Sequence, residues 1–195
     1  MTKGQYSPTS EVGKKTKSSP LGSLDHPINP LALAMGADAT FVARSMDRDP
    51  KHLKEMLKRS YFHKGTALLE IYQNCNVFND GAFAVFTDKG TKPEETIYLE
   101  HGQPLIFGAE NQKGIKLNGL TPEIVELDKV SKDELWIHDA KDRTKSSILT
   151  RLFDDPNSVG HFPRPFGIFY EEDRFRYEEA MTSQLESAKA LKGEG

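Results

Sequence analysis

Residues 29–73 alternate between helical and strand-like patterns, and this alternation limits the possible folds more than any other feature of the chain. Asn29 and Asp49 each precede a proline, which is typical of a helix N-cap followed by the first helical turn. Each predicted helix leads to a nearly continuous apolar segment, ATFVAR at 39–44 and TALLEIY at 66–72. Strands of this kind belong to parallel sheets that are covered on both faces. The pattern therefore predicts an α/β fold.

The remainder of the chain follows other patterns. Residues 74–139 contain short apolar segments separated by Gly, Pro and charged turns, which predict an antiparallel or irregular β appendage; these segments are TIYLE, QPLIFG, KGIKLNG and ELWIHD. Residues 140–195 predict a short helix over 144–153, an extended and exposed aromatic arm, HFPRPFGIFY, and a final helix. The apolar stripe of that helix consists of Tyr177, Met181, Leu185, Ala188 and Leu191. We predict three units, 1–73, 74–139 and 140–195.

Composition excludes several classes of partner. Of the 195 residues, 36% are apolar and 28% are charged, and the net charge is −3. Such a balance gives no electrostatic case for binding nucleic acid or an anionic membrane surface. The longest apolar runs are much shorter than a bilayer span, and no signal-peptide pattern opens the chain. We therefore expect a cytoplasmic protein with no nucleic-acid or membrane partner.

Cys75 is the single cysteine, and it lies directly after the second predicted strand. A lone cysteine is more often a small buried apolar residue than a ligand. The neighbours of Cys75 are polar and turn-forming, however, and the carboxyl end of a strand is where α/β sheets bind ligands. One cysteine can form neither an internal disulfide nor a complete metal site. Its chemistry would have to be shared with residues outside this chain.

Other catalytic motifs are missing from the sequence. It contains no Gly-rich phosphate loop, no HExxH motif and no nucleophile elbow, and its six histidines lack the spacing of a metal site or a triad. Residues 1–29 form a long loop without apolar periodicity, and a loop of this length is either disordered or functional. The residues alone thus indicate an α/β chain with an unusual first loop.

Three motifs, taken in order, resemble a known family. They are TKGQYSPTSEVGKKTKSSPLG at 2–22, NPLALAMGADATFVARSMDRDPKHL at 29–53 and LLEIYQNCNVFNDGAF at 68–83. Together they resemble the β subunit of the 2-oxoacid:ferredoxin oxidoreductases, specifically the 2-oxoglutarate type, from residue 1 to about residue 110. The resemblance implies the carboxyl-terminal half of a thiamine-diphosphate-binding parallel-sheet domain, followed by a small β-rich appendage and a helical tail.

The resemblance also implies cofactors and site residues. The family binds thiamine diphosphate, Mg²⁺ and a [4Fe-4S] cluster, and Cys75 matches one of the cluster's cysteine ligands. The loop at residues 1–5 lies beside the thiamine ring in this family. The resemblance therefore assigns Gly4 and Gln5 to cofactor binding and Thr2 and Lys3 to the substrate. Lys3 is typical of the 2-oxoglutarate type, since a distal carboxylate in a desolvated pocket needs a cation.

The implied reaction converts a 2-oxoacid and coenzyme A to acyl-CoA and CO₂, with electrons passed to ferredoxin. The implied partners are the α subunit, ferredoxin, coenzyme A and the 2-oxoacid. The family's CxxC pair, its GDG segment and its Mg²⁺-binding stretch have no counterpart here. We expect a fragment of a β subunit, or a chain whose other half is a separate polypeptide. Two alternatives stay open: a non-catalytic interaction fragment that docks through the aromatic arm, and an enzyme of the same class that acts on pyruvate or a branched-chain 2-oxoacid.

Overall fold

A four-stranded sheet forms the centre of the protein. The computed structural model describes residues 4–152 and 161–192. The strands are β1 (Phe41–Met46), β2 (Ala67–Tyr72), β3 (Thr96–Leu99), β4 (Ile106–Phe107), β5 (Lys113–Asn118), β6 (Thr121–Glu126) and β7 (Arg164–Glu171). The central sheet has the order β2-β1-β7-β3. β1 and β2 are parallel, as predicted, whereas β7 is antiparallel to β1 and parallel to β3, so the sheet is mixed.

The helices are α1 (Pro30–Gly36), α2 (Pro50–Phe62), α3 (Ala84–Thr87), α4 (Lys92–Glu95), α5 (Arg143–Arg151) and α6 (Tyr177–Lys192), with a 3-10 turn at Lys132–Glu134. The two predicted caps are confirmed. The Asn29 side chain accepts the N–H of Ala32 at 3.1 Å, and the Asp49 side chain accepts the N–H of His52 at 3.2 Å. Each cap satisfies a backbone donor that the first helical turn leaves without an intrahelical partner.

The aromatic segment at 161–170 corrects one prediction. It was predicted to be an exposed arm, but residues 164–170 belong to β7, which lies between β1 and β3, and residues 165–170 are all buried. The run FGIFY is nearly continuous in apolar residues because both faces of β7 are covered. Pro165 is tolerated near the start of the strand, where its missing N–H costs least. The interaction-fragment alternative thus loses the exposed arm on which it relied.

The appendage is smaller than predicted. Segment 96–100, TIYLE, was assigned to it, but Thr96–Leu99 forms β3 and pairs with β7 in the central sheet. β4, β5 and β6 form a separate antiparallel sheet, which confirms the β-rich appendage. The central sheet contains strands from all three predicted units, and the boundaries at residues 73 and 139 stay predictions.

The core lies on both faces of the central sheet, which confirms the α/β class. On one face α1, α5 and the appendage pack together, and the buried residues there include Leu31, Val42, Ile115, Trp136, Leu149 and Phe169. On the other face α2 contributes Met56, which packs with Phe41 and Ile168. α6 forms as predicted, but its apolar stripe faces solvent, since Tyr177, Met181, Leu185 and Leu191 are all exposed. None of the helices in the described ranges is long and apolar enough to cross a membrane.

Candidate functional site

The loop at residues 73–81, termed the Cys75 loop, leaves the carboxyl end of β2, as predicted. It is tied to the neighbouring strand end, because Asp47 directly follows β1. The Asn74 N–H donates to Asp47 Oδ2 at 3.0 Å, and the Asp47 N–H donates to the Tyr72 carbonyl at 2.9 Å. The loop therefore lies where the carboxyl ends of two parallel strands meet, the usual ligand position in α/β sheets.

Asn74 holds the Cys75 loop together from within. Its side-chain amide donates to Asn76 Oδ1 at 2.7 Å and to Asp80 Oδ1 at 2.8 Å, and its carbonyl oxygen accepts the Gly81 N–H at 3.0 Å. Gly81 has a φ of 74°, a conformation that glycine adopts at little cost. These bonds explain why a cluster of asparagines surrounds the cysteine: the amides order a loop that has no helix or strand of its own.

Cys75 is half-buried, and its surroundings favour the thiolate. The backbone amides of Phe78 and Val77 lower the pKa of the Cys75 thiol, partial burial opposes them, and the Asn79 amide adds to the lowering. A turn closed by the Asn79 N–H and the Cys75 carbonyl at 2.9 Å brings these amides together. The thiolate is the form of cysteine that binds metals. The environment of Cys75 thus fits one ligand of an iron–sulfur cluster, since hydrogen-bonded thiolates are the usual ligands of such clusters.

The predicted cofactor residue Gly4 lies against the Cys75 loop. A Cβ built on Gly4 would be 2.9 Å from Cδ1 of Phe78, closer than real side chains come, and the φ of Gly4 is 75°. The structure thereby brings Gly4 and the Cys75 loop together, although they are about 70 residues apart in sequence. Thr2 and Lys3, the predicted substrate residues, lie outside the described residues.

Gln5, the other predicted cofactor residue, is exposed. It lines a pocket of about 500 Å³ together with Tyr6, Ser7, Pro8, Ser18, Asp25, His26 and Ile28. The first loop closes on itself around this pocket. The Tyr6 hydroxyl donates to Asp25 Oδ2 at 2.9 Å, and the Ile28 N–H donates to the Pro8 carbonyl at 2.8 Å. Residues 4–29 therefore form a loop that is closed by its own hydrogen bonds.

The sequence does not predict an aromatic cluster around Tyr72 and Phe83, which flank the Cys75 loop in the chain. The ring of Tyr72 stacks on Phe83 with centroids 4.5 Å apart and meets Phe166 edge-on at 5.7 Å. The guanidinium groups of Arg44 and Arg164 lie 5.1 and 5.8 Å from the Tyr72 ring centre. The sequence contains one signal for this cluster, a charged residue within each of two apolar strands. These residues are Arg44 of β1 and Glu70 of β2, which are paired in the sheet. A buried charge in such a strand needs a partner across the sheet.

Three histidines serve the structure. Burial lowers the pKa of His52, His63 and His138. His63 Nε2 hydrogen-bonds to the Thr40 hydroxyl, and His138 Nε2 hydrogen-bonds to the Ile168 carbonyl, each at 2.8 Å. In the described part of the chain no group of three or more His, Cys, Asp or Glu side chains could hold a metal ion.

The first part of the chain matches a known protein family. The carboxyl-terminal TPP-binding domain of thiamine pyrophosphate enzymes matches residues 1–71. A solved structure, a 2-oxoglutarate:ferredoxin oxidoreductase from Magnetococcus marinus with 2-oxoglutarate, coenzyme A and succinyl-CoA bound, superposes with a TM-score of 0.62 at 21% identity. The match covers 96% of this chain and 48% of that chain, and it shows a shared fold.

Curated relatives match the chain over different lengths. The 2-oxoglutarate oxidoreductase subunit KorB of Mycobacterium tuberculosis is 44% identical over 191 residues, which cover 97% of this chain and 50% of the relative. The 2-oxoacid:ferredoxin oxidoreductase subunit beta of Saccharolobus solfataricus is 46% identical over 89 residues, 46% of this chain and 29% of that one. The chain thus spans about half the length, or less, of the curated relatives it matches.

Proposed function

Because the chain belongs to the β-subunit family of the 2-oxoacid:ferredoxin oxidoreductases, we propose that it forms the carboxyl-terminal part of the β subunit of a 2-oxoglutarate:ferredoxin oxidoreductase. The reaction is the oxidative decarboxylation of 2-oxoglutarate with coenzyme A to succinyl-CoA and CO₂, with two electrons passed singly to ferredoxin. The α subunit and the rest of the β subunit complete the enzyme in this proposal, and its location is the cytoplasm.

One observation supports the proposal above the others. The loop that begins with the family's Thr-Lys-Gly-Gln motif packs, through Gly4, on the loop that contains Cys75. A substrate loop and an electron-accepting group have to be neighbours, since an electron leaves the substrate for the cluster. The separation of Gly4 and Cys75 in the sequence makes a chance contact of these two motifs a poor explanation.

The chain's residues have distinct roles in this proposal. Cys75 supplies one thiolate to the [4Fe-4S] cluster, and the backbone amides of Phe78, Val77 and Asn79 hold that sulfur in its charged form. Gly4 and Gln5 belong to the wall of the thiamine site, and Thr2 and Lys3 contact the substrate. When bound, thiamine diphosphate with its Mg²⁺ stabilises the carbanion left by decarboxylation, and the cluster accepts electrons one at a time.

Lys3 decides the substrate in this proposal. A distal carboxylate that enters a desolvated pocket without a cation typically costs about 2–5 kcal/mol. Lys3→Gly should therefore lower kcat/KM for 2-oxoglutarate by roughly thirtyfold or more. Pyruvate has no distal charge, so its turnover should change much less.

The test uses the chain assembled with the remaining β-subunit half and the α subunit. Reduction of ferredoxin or a viologen is measured with 2-oxoglutarate, pyruvate and a branched-chain 2-oxoacid. Lys17→Gly is the matched control, because Lys17 is exposed in the same first loop. No 2-oxoglutarate-dependent reduction by the wild-type assembly would overturn the proposed function. Equal losses for 2-oxoglutarate and pyruvate in Lys3→Gly would show that Lys3 shapes the loop and does not select the substrate.

A further inference from the structure

Phe78 joins the two loops that the proposed function needs. Its ring lies against Gly4, where even a methyl group on Gly4 would come within 2.9 Å of Cδ1 and 3.3 Å of Cε1. Phe78 is 45% exposed and belongs to none of the core clusters of the described residues. Gly4 cannot move toward the Cys75 loop without displacing the Phe78 ring.

The backbone of Phe78 is equally constrained. It lies in the single turn that starts at Cys75 and is closed by the Asn79 N–H donating to the Cys75 carbonyl. Asn74 fixes both ends of the surrounding loop through Asp80 and Gly81. A displacement of the Phe78 side chain would therefore tilt the turn that carries the backbone amides of Val77, Phe78 and Asn79 next to Cys75.

We propose that Phe78 is a positioning residue that couples Gly4 to Cys75. Gly4 belongs to the loop that begins with the Thr-Lys-Gly-Gln motif of residues 2–5, termed the motif loop. This inference rests on the proposed function for its purpose, since it assumes that the motif loop meets the substrate and that Cys75 is a cluster ligand. Hydrogen bonds to a ligating sulfur help to set a cluster's reduction potential. Substrate that shifts the motif loop would change these bonds through Phe78, so the potential of the cluster would respond to the occupancy of the substrate site.

Two glycines of the first loop provide a matched pair for the test. Gly4 and Gly13 have φ values of 75° and 81°, so alanine strains the backbone similarly at both positions. A Cβ on Gly4 meets Phe78, whereas a Cβ on Gly13 meets nothing within 4 Å. Only Gly4→Ala should disturb the Cys75 loop.

Hydrogen–deuterium exchange on the full chain measures that disturbance without any cofactor. In Gly4→Ala we expect the amides of residues 76–79 to exchange at least about threefold faster, the lower range of coupling between residues in contact. Gly13→Ala should leave these amides unchanged. In the double variant Gly4→Ala with Phe78→Ala the added methyl has room, so the further effect of Gly4→Ala should largely disappear. Equal exchange in Gly4→Ala and Gly13→Ala would overturn the coupling.

The assembled enzyme provides the second readout. Phe78→Leu should shift the reduction potential of the cluster to a more negative value and raise the KM for 2-oxoglutarate by about threefold or more. Phe175→Leu is the control, because it makes the same substitution at a phenylalanine that is 85% exposed and lies outside both loops. An unchanged potential and KM in Phe78→Leu would refute the role of Phe78. A wild-type assembly that holds no cluster would instead refute the proposed function, and the exchange experiment would still decide the coupling.

Discussion

Removing one partner of the buried ion pair between Arg44 and Glu70 should destabilise the protein far more than removing one partner of an exposed pair of the same length. Arg44 Nε donates to Glu70 Oε2 at 2.5 Å, and Arg44 Nη1 donates to the Pro165 carbonyl at 3.2 Å. The guanidinium thereby connects β1, β2 and β7. Its side chain is only 3% exposed, and that of Glu70 is 18% exposed. Glu70→Leu would leave the Arg44 charge buried without its counterion.

The expected loss of unfolding free energy in Glu70→Leu follows from the contacts that Arg44 would lose and keep. Removing one partner of a buried pair typically costs 3–5 kcal/mol. Arg44 would keep the Pro165 carbonyl and the faces of the Tyr72 and Phe169 rings, which lie 5.1 and 5.5 Å away. We therefore expect the lower end of that range, about 3 kcal/mol. With a urea m-value of about 2 kcal/mol/M, the unfolding midpoint would fall by roughly 1.5 M.

A second ion pair supplies the control. Arg59 and Glu171 also lie 2.5 Å apart, but their side chains are 45% and 31% exposed. Glu171→Leu should cost less than about 1 kcal/mol, because solvent screens an exposed pair. Urea unfolding can be followed by the fluorescence of Trp136, the single tryptophan, which is buried. Similar small losses in Glu70→Leu and Glu171→Leu would refute the expectation that burial decides the cost of removing one partner of these pairs.

Three further predictions follow from other parts of the molecule. Gly167→Ala should lower the free energy of unfolding by about 2–4 kcal/mol, because Gly167 has a φ of 116° and its Cβ would lie 2.7 Å from the Leu99 carbonyl oxygen. Gly90→Ala is the control in the same urea titration, and it should change the free energy of unfolding little, because the space around Gly90 is open. Stability should fall as the pH drops from about 7 toward 5, because burial lowers the pKa of His63 and His138 in the folded state and the unfolded chain therefore takes up protons first, near pH 6.5. Urea midpoints at pH 7.5 and 5.5 test this. His138→Gln should flatten the pH dependence, and an unchanged slope in that variant would contradict the prediction. Iron–sulfur reconstitution of the 195-residue chain alone should give less than one four-iron cluster per chain, because Cys75 is its one cysteine; a stoichiometric visible spectrum would disprove this.

Local patterns predicted the elements of the first 73 residues well. The caps at Asn29 and Asp49 and the apolar segments at 39–44 and 66–72 determine their structure through nearby contacts, so the sequence displays them directly. The position of β7 could not be read in this way. Its pairing with β1 joins residues more than 120 positions apart, and a Pro-rich start made an exposed arm the simpler interpretation.

In the candidate site, too, local features could be predicted from the sequence and long-range contacts could not. Cys75 could be placed at a strand end from local pattern alone, whereas its proposed role as a cluster ligand comes from the resemblance and stays a prediction. The packing of Phe78 on Gly4 and the stacking of Tyr72 on Phe83 depend on where distant loops come to rest, which no spacing in the sequence encodes. The Arg44–Glu70 pair lies between these cases, since the two charges are visible in adjacent strands but their burial is not.

Because β2 lies at one side of the sheet, its pairing with a further strand depends on which strand reaches it first. In the described part of the chain β1 is the one strand that pairs with β2, so the other edge of β2 can accept a further strand. Backbone pairing is almost indifferent to side chains, so any extended segment competes for this row. A strand within the same complex arrives at a rate set by folding, whereas a second copy arrives at a rate that rises with concentration. Pairing of β2 with a second copy should therefore increase with the concentration of the chain, whereas pairing within one complex should not.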